Sequence, residues 1–229
     1  MRLGTPIPNF TADTTTGKIK FYEWAGTSWV MLFSHPADFT PVCTTELGHI
    51  AGKAQEFFRR GVMLLGHSSD SVARHRAWIE DIRSQYNITG QFPYPVIGDE
   101  SRIIAEQLDM TDMRDPESRG VRVVYIIGPD KTLRLSMLYP ESTGRNVDEV
   151  LRVIDSLQLA NTTPVVTPVD WRVKIIPTRS VYCNFELFSK CQLICRRWGK
   201  MYCFNPTFFP LTKHVCFLEV YAVLIFPVD

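Results

Sequence analysis

One cysteine of the chain stands where a thiol could act as a nucleophile. Cys43 follows the proline-bounded stretch Pro36-Ala37-Asp38-Phe39-Thr40-Pro41-Val42. From Cys43 onward, apolar residues recur at spacings of three and four, which predicts one face of an amphipathic helix. The unpaired N–H groups and the dipole of a helix N-terminus favour negative charge, so a thiol in the first turn is stabilised as the nucleophilic thiolate.

Two features of the preceding stretch would assist such a thiol. Thr40 lies three residues before Cys43 and could place a hydroxyl beside the sulfur, where it could donate to the thiolate or to a substrate oxygen. Pro36 and Pro41 would stiffen the loop and shield the thiol from large reactants. The alternative reading is that Cys43 is a small buried apolar side chain, the usual state of a lone cysteine.

The elements that must position Cys43 follow from hydrophobic periodicity. The run Trp29-Val30-Met31-Leu32-Phe33 predicts a buried strand directly before the cysteine loop. Asn146 followed by Glu149 is typical of a capping box and predicts a helix start. Further strands are predicted at 19–24, 61–66, 121–127 and 132–138, an extended piece at 92–97, and helices at 43–60, 71–86 and 101–108. Strands that alternate with helices and end in a hairpin favour an α/β layered fold.

The pattern Pro-x-x-x-Thr-x-x-Cys resembles the peroxidatic-cysteine motif of peroxiredoxins. The longer string from Ser34 to Leu47, SHPADFTPVCTTEL, is similar to the 1-Cys peroxiredoxins in particular, as are YPESTGRN at 139–146 and TPVDW at 167–171. The resemblance covers about residues 1–173. It implies a thioredoxin-like fold with a central mixed sheet flanked by helices. It also implies an antioxidant, redox-active enzyme, a thiol-dependent peroxidase that reduces hydrogen peroxide and organic or lipid hydroperoxides.

The resemblance also assigns residues to the site. Arg122 lies in an apolar strand, where a charge is costly without a partner. On the residues alone, a charge on an exposed edge is the simpler interpretation. In the family the matching arginine favours the thiolate and orients peroxide, so the expected catalytic residues are Cys43, Thr40 and Arg122. The expected supporting residues are Pro36, His35, Glu46 and Arg145.

Peroxide reduction converts the thiolate to sulfenic acid, which must be reduced again. Residues 1–173 contain no second cysteine, so an internal disulfide cycle within them is not expected. The resemblance implies an external thiol, glutathione, delivered with a glutathione transferase as partner. It further implies a homodimer and no metal or prosthetic group.

Composition excludes several other classes of protein. The net charge of +1 gives no sign of binding to nucleic acid or to an anionic membrane. The N-terminus lacks the apolar segment of a secretory signal, and no stretch reaches the roughly 18 apolar residues of a membrane span. A free catalytic thiol is typical of a reducing compartment, so a cytoplasmic location is expected.

The chain changes character near its C-terminus. We predict a thioredoxin-like domain at 1–160, a linker and the start of a C-terminal peroxiredoxin region at 161–173, and a divergent, Cys/Phe-rich, irregular tail at 174–229. Residues 1–173 carry 18 basic and 21 acidic residues, whereas the tail carries 7 and 3. The tail holds Cys183, Cys191, Cys195, Cys203 and Cys216. Cys191, Cys195, Cys203, His214 and Cys216 loosely resemble metal ligands, but they lack the second tight pair of a structural zinc site, so no metal is expected.

Two other functions are possible from the sequence. The 1-Cys family is also credited with phospholipase A2 activity, for which Ser28 and Asp130 would be remnants. The matching histidine position holds Tyr22, a poor general base near neutral pH. Alternatively, the divergent tail would block the dimer or the pocket and leave a catalytically impaired binding or holdase protein. A thioredoxin-like disulfide reductase is disfavoured because no C-x-x-C motif is present.

Overall fold

A computed structural model of the protein describes residues 1–111, 120–173, 192–195 and 201–204. The chain divides into two compact units, Met1–Leu157 and Gln158–Asp229. The domain limits near 160 and 173 remain predictions.

Seven strands in the described part of the first unit form one mixed sheet. They are β1 Thr11–Thr14, β2 Gly17–Lys20, β3 Trp29–Ser34, β4 Val62–Ser68, β5 Val96–Gly98, β6 Arg122–Ile127 and β7 Leu133–Tyr139. The order across the sheet is β2-β1-β5-β4-β3-β6-β7. β3 pairs in parallel with β4 and antiparallel with β6, so the strand before Cys43 lies inside the sheet, as predicted.

Six helices accompany the sheet in the described part of the chain. They are α1 Phe21–Ala25, α2 Pro41–Gly52, α3 Ala54–Arg59, α4 Val72–Gln85, α5 Ile103–Gln107 and α6 Val147–Thr162. The predicted cap of α6 is present, because the Asn146 side chain accepts from the backbone amides of Asp148 and Glu149 at 3.0 and 3.2 Å.

The alternation of side chains along β3 divides the core into two clusters. Met31 and Phe33 pack with the apolar residues of α2, α3, α4 and α6 on one face of the sheet. Val30 and Leu32 pack with those of α1, α5 and the N-terminal arm on the other face. A strand buried on both faces needs a continuous apolar run, and this is why the sequence predicts the strand correctly. The result is the predicted thioredoxin-like arrangement of a mixed sheet between helices.

Two predicted elements were wrong in their limits. The single helix expected over 43–60 is two helices, because α2 ends at Gly52 and Lys53 adopts φ −96°, ψ 5° before α3 begins. Glycine has a poor helix propensity, which favours the break there. The strand expected over 19–24 ends at Lys20 and continues as α1, whose buried residues Phe21 and Ala25 are spaced by four, as a helix requires.

The second unit is described only in part. Its tail, expected to be irregular, contains two short strands, β8 Gln192–Cys195 and β9 Met201–Phe204, which pair antiparallel. Among the residues that the structure describes, no helix combines the length and apolarity needed to span a membrane.

Candidate active site

Cys43 occupies the first turn of α2. The helix begins with Pro41, whose fixed φ suits the first helical position and which has no N–H to satisfy. The amides of Val42 and Cys43 lie in the first turn, where the helix offers them no acceptor. Thr40, the N-cap residue, is extended and its side chain does not cap them either. Cys43 is fully buried. Its sulfur therefore lies at the positive end of the helix dipole, which stabilises a thiolate.

Arg122 places a guanidinium against this sulfur. It is the first residue of β6 and is 2% exposed, so it is not the edge charge that the sequence also allowed. Its Nη1 donates to Cys43 Sγ at 3.2 Å and to Glu46 Oε2 at 2.6 Å. Its Nε and Nη2 donate to the Glu141 carbonyl at 2.9 and 2.8 Å. The cation is thus held in one orientation by two elements while one N–H group points at the sulfur.

Glu46 lies one helical turn beyond Cys43 and forms ion pairs with two arginines. Arg145 donates to its carboxylate through Nε at 2.9 Å, through Nη2 at 2.8 Å and through the backbone amide at 2.8 Å. Burial would raise the pKa of the Glu46 carboxyl, but the charge and hydrogen bonds of Arg145, and then the charge of Arg122, hold that pKa below its usual value. Glu46 is therefore an anion that fixes both guanidiniums.

Arg145 ties this network to the sheet. Its Nη1 donates to the carbonyls of Ser34, at the end of β3, and Val123, in β6, at 2.8 and 3.0 Å. Its guanidinium also lies 5.4 Å from the centre of the Phe33 ring. The structure thus joins Arg122, Glu46 and Arg145 into one buried network.

Thr40 and Arg122 line a common cavity of about 480 Å³. Pro41, Val42, Glu141 and Ser142 complete its lining. The Thr40 hydroxyl donates to the Ala37 carbonyl at 3.0 Å, whereas the sequence had suggested the thiolate or a substrate oxygen as its acceptor. A hydroxyl whose hydrogen is engaged still offers its oxygen lone pairs, so Thr40 can act as an acceptor toward a molecule in the cavity that it lines.

His35 and Pro36 are both buried and do not line this cavity. The Nε2 of His35 lies 2.7 Å from Asp38 Oδ1, and its ring packs against Trp78 with centres 5.0 Å apart. Burial, together with the nearby His75 and Arg145, holds the pKa of His35 below its usual value, although the Asp38 carboxylate raises it. His35 therefore belongs to the packing of the loop rather than to the wall of the cavity.

Sequence reasoning missed two partners of that histidine. Asp38 and His75 are fully buried and hydrogen-bonded to each other, with Asp38 Oδ2 2.6 Å from His75 Nδ1. One signal was available for His75, because it lies four residues before Ile79 on the apolar stripe of α4. A polar side chain on a buried stripe needs a partner.

The residues of the lipid-hydrolase alternative are engaged elsewhere. The Asp130 carboxylate is exposed and accepts from Thr132 and Arg134 at 2.8 and 2.7 Å. The Tyr22 hydroxyl donates to the Ile7 carbonyl at 2.7 Å. Ser28 lies in the turn between α1 and β3, and among the described residues neither Asp130 nor Tyr22 is hydrogen-bonded to it. This arrangement does not favour a serine hydrolase.

The candidate metal ligands of the tail, His214 and the side chains of its cysteines, lie outside the described residues.

Comparison with known proteins decides the family. A model of the AhpC/TSA family matches residues 3–136. The chain belongs to the AhpC/TSA family. Within the family it is 52% identical to the peroxiredoxin-6 of Mus musculus over 189 residues, which is 78% of this chain and 84% of the relative. It is 49% identical to a 1-Cys peroxiredoxin of Medicago truncatula over 175 residues, 75% of this chain and 80% of the relative.

Solved structures of AhpC/TSA peroxiredoxins share the fold. A cysteine-to-serine mutant of the peroxiredoxin 6 of Arenicola marina superposes with a TM-score of 0.76 and 44% identity, covering 90% of this chain and 99% of that chain. A yeast mitochondrial 1-Cys peroxiredoxin superposes with a TM-score of 0.71 and 46% identity, covering 75% and 83%. The predicted resemblance and fold class are confirmed. The protein is a peroxiredoxin, a thiol-dependent peroxidase.

Proposed function

We propose that Cys43 is the peroxidatic nucleophile of this enzyme, with Arg122 and Thr40 binding the peroxide and Glu46 and Arg145 holding Arg122. The observation that carries the proposal is the hydrogen bond from Arg122 Nη1 to Cys43 Sγ at 3.2 Å. It joins a buried sulfur at a helix N-terminus to a fixed cation, and both features favour the thiolate. A buried sulfur bound to a cation that itself lines a cavity is the arrangement that a small peroxide requires.

The reaction is an in-line displacement at oxygen. The thiolate attacks one oxygen of ROOH, and an S–O bond forms as the O–O bond breaks. The other oxygen leaves as alkoxide or hydroxide and takes up a proton to give alcohol or water, while the sulfur becomes sulfenic acid. Arg122 and the free amides of the first turn of α2 stabilise the negative charge that moves onto the oxygens. Thr40 accepts the hydrogen of the entering hydroperoxide, because its own hydrogen is bound to Ala37.

The substrates we propose are hydrogen peroxide and organic or lipid hydroperoxides. An organic hydroperoxide carries an alkyl group in place of one hydrogen of hydrogen peroxide, and the cavity of about 480 Å³ has room for such a group. Pro41 and Val42 offer apolar surface to an alkyl group, whereas Ser142 offers a hydroxyl.

An external thiol completes the cycle in this proposal. Cys43 is the only cysteine of residues 1–173, so these residues hold no thiol that could resolve its sulfenic acid. Glutathione, with a glutathione transferase as partner, is the proposed reductant. The structure of the yeast relative concerns thiol resolution through the glutathione and thioredoxin systems, which supports this choice. A homodimer and a cytoplasmic location complete the proposal.

The test compares peroxide consumption and the mass of the Cys43 peptide in the full chain, a Cys43→Ser variant and a 1–173 truncation. We expect rapid peroxide loss with sulfenic acid at Cys43 in the full chain, and none in Cys43→Ser. A full chain no faster than Cys43→Ser, beside an active truncation, would show that the tail disables the enzyme.

The reductant needs a matched control, because the tail carries five further cysteines. A Cys203→Ser variant should turn over with glutathione at the rate of the unaltered chain. A disulfide between Cys43 and a tail cysteine would replace the external cycle with an internal one.

A further inference from the structure

The loop that leads to Cys43 is fastened to α4 through a buried carboxylate. This β3–α2 loop comprises residues 35–40. The Asp38 side chain is fully buried, with Oδ1 2.7 Å from His35 Nε2 and Oδ2 2.6 Å from His75 Nδ1. Since His75 belongs to α4, the carboxylate connects the loop to a helix that contributes no residue to the cavity lining.

The hydrogen bonds fix where the protons of this cluster lie. His75 Nε2 is 3.0 Å from the Ile97 carbonyl, which can only accept, so this nitrogen carries a proton. An ionised carboxylate also only accepts, so another proton must lie between Asp38 and His75 Nδ1. His35 donates through Nε2, while its buried Nδ1 has no hydrogen-bond partner in the described part of the chain, which suits an unprotonated nitrogen. Asp38 thus receives two hydrogen bonds from two rings.

The same three side chains resemble a set of metal ligands, but their geometry is that of hydrogen bonds. The atom pairs are 2.6 and 2.7 Å apart. Ligands at about 2.0–2.1 Å from a tetrahedral metal are roughly 3.3 Å from each other. Hydrogen bonds, rather than a metal ion, therefore hold the three side chains together.

The backbone of the loop is fastened to the start of α4 as well. The amide of Asp38 donates to Asp70 Oδ2 at 2.7 Å. Phe39 follows with φ 61°, a left-handed conformation that a bulky residue keeps only when its surroundings impose it. Its ring lies 5.0 Å from the guanidinium of Arg74, which is itself paired with Asp70 at 3.2 Å. Thr40 is the next residue, and its position follows from this anchoring.

We propose that Asp38 is a positioning residue of the peroxidase: by binding His75 and Asp70 it holds the β3–α2 loop on α4 and so sets Thr40 opposite Arg122. This rests on the proposed function of Cys43. The anchoring acts on peroxide binding, and the sulfur keeps its own hydrogen bond from Arg122, which does not involve the loop.

The test compares Asp38→Ala with the isosteric Asp38→Asn in the full chain. Asn can keep both bonds, because its amide oxygen accepts from His35 and its amide N–H donates to a neutral His75. We expect Asp38→Ala to react with hydrogen peroxide about tenfold more slowly or worse, because small displacements of positioning groups cost about 10²-fold. Asp38→Asn should stay within about threefold of the unaltered chain.

A second readout separates positioning from thiol activation. The rate of Cys43 alkylation by iodoacetamide reports the thiolate without using Thr40, so it should not fall in either variant. If Asp38→Ala lost peroxide reaction rate and alkylation rate in parallel, the proposal would be overturned. It would also be overturned if Asp38→Asn reacted with peroxide as slowly as Asp38→Ala, because the charge of Asp38 rather than its anchoring would then matter. If the unaltered chain does not react with peroxide, the role of Cys43 fails, and the positioning role fails with it.

Two further variants keep the test decisive. Asp99→Ala removes another buried Asp–His pair, in which Asp99 Oδ2 lies 3.1 Å from His67 Nε2, and the folded variant should react with peroxide at the normal rate. Should Asp38→Ala not fold, Asp70→Ala removes the acceptor of the Asp38 amide. It should slow the peroxide reaction without slowing alkylation, and an unchanged peroxide rate would overturn the proposal.

Discussion

Glu46→Gln should destabilise the protein and slow its reaction with peroxide together. The carboxylate side chain is 4% exposed and faces two guanidiniums that are 2% and 1% exposed. Four hydrogen bonds reach its two oxygens, from Arg122 and Arg145. Glutamine would present an N–H₂ group to one set of these donors and would leave both cations without their shared anion. Removing one partner of a buried ion pair costs about 3–5 kcal/mol.

This free energy predicts a lowering of Tm by roughly 6–20 °C for a chain of this size. The Glu141 carbonyl still holds Nε and Nη2 of Arg122, so the guanidinium stays in the site but its Nη1 loses the acceptor that fixes it. We expect the second-order rate constant with hydrogen peroxide to fall by about tenfold, which corresponds to about 1.4 kcal/mol of transition-state free energy.

Chemical denaturation and stopped-flow measurement of the peroxide reaction test both effects. The matched control is Glu80→Gln, which alters a carboxylate paired with Arg83 at 2.9 Å on the surface, where Glu80 is 67% exposed. An exposed pair contributes at most about 1 kcal/mol, so this variant should be near the unaltered chain in both assays. A Glu46→Gln protein that loses less than about 1 kcal/mol would refute the view that Glu46 balances the two buried cations.

Three further predictions concern pH, packing and the rejected site. Because the folded-state pKa of Glu46 is depressed, its contribution to stability is present above the unfolded pKa of about 4.3 and is lost as pH falls through the folded pKa. The difference in free energy of unfolding between the unaltered chain and Glu46→Gln should therefore become smaller below about pH 4 in denaturation curves. Gly48→Ala should cost about 1–3 kcal/mol in the same assay, because the added Cβ would lie 2.3 Å from the Tyr86 ring, whereas Gly52→Ala meets nothing within 4 Å and should not destabilise. Ser28→Ala should leave peroxide reduction unchanged, and an esterase activity that disappears with it would revive the lipid-hydrolase reading.

Local patterns were sufficient for much of the fold. The apolar run of β3 and the cap at Asn146 each depend on neighbours within a few residues, and both elements form where predicted. The strand expected over 19–24 failed for a related reason, since Phe21 and Ala25 fit a helical spacing as well as a strand alternation over so short a stretch. Short segments leave this choice to tertiary packing.

The sequence by itself determined that Cys43 lies in the first turn of a helix that follows a buried strand, because periodicity and proline placement are local. Only the tertiary structure decided that Arg122, 79 residues away, points its Nη1 at that sulfur, and that Asp38 is bound to His75, 37 residues away. These contacts depend on the register of β6 against β3 and on how α4 packs beside the loop. Each distant group is held there because a buried charge or polar group must find a partner, and the fold determines which partner is within reach.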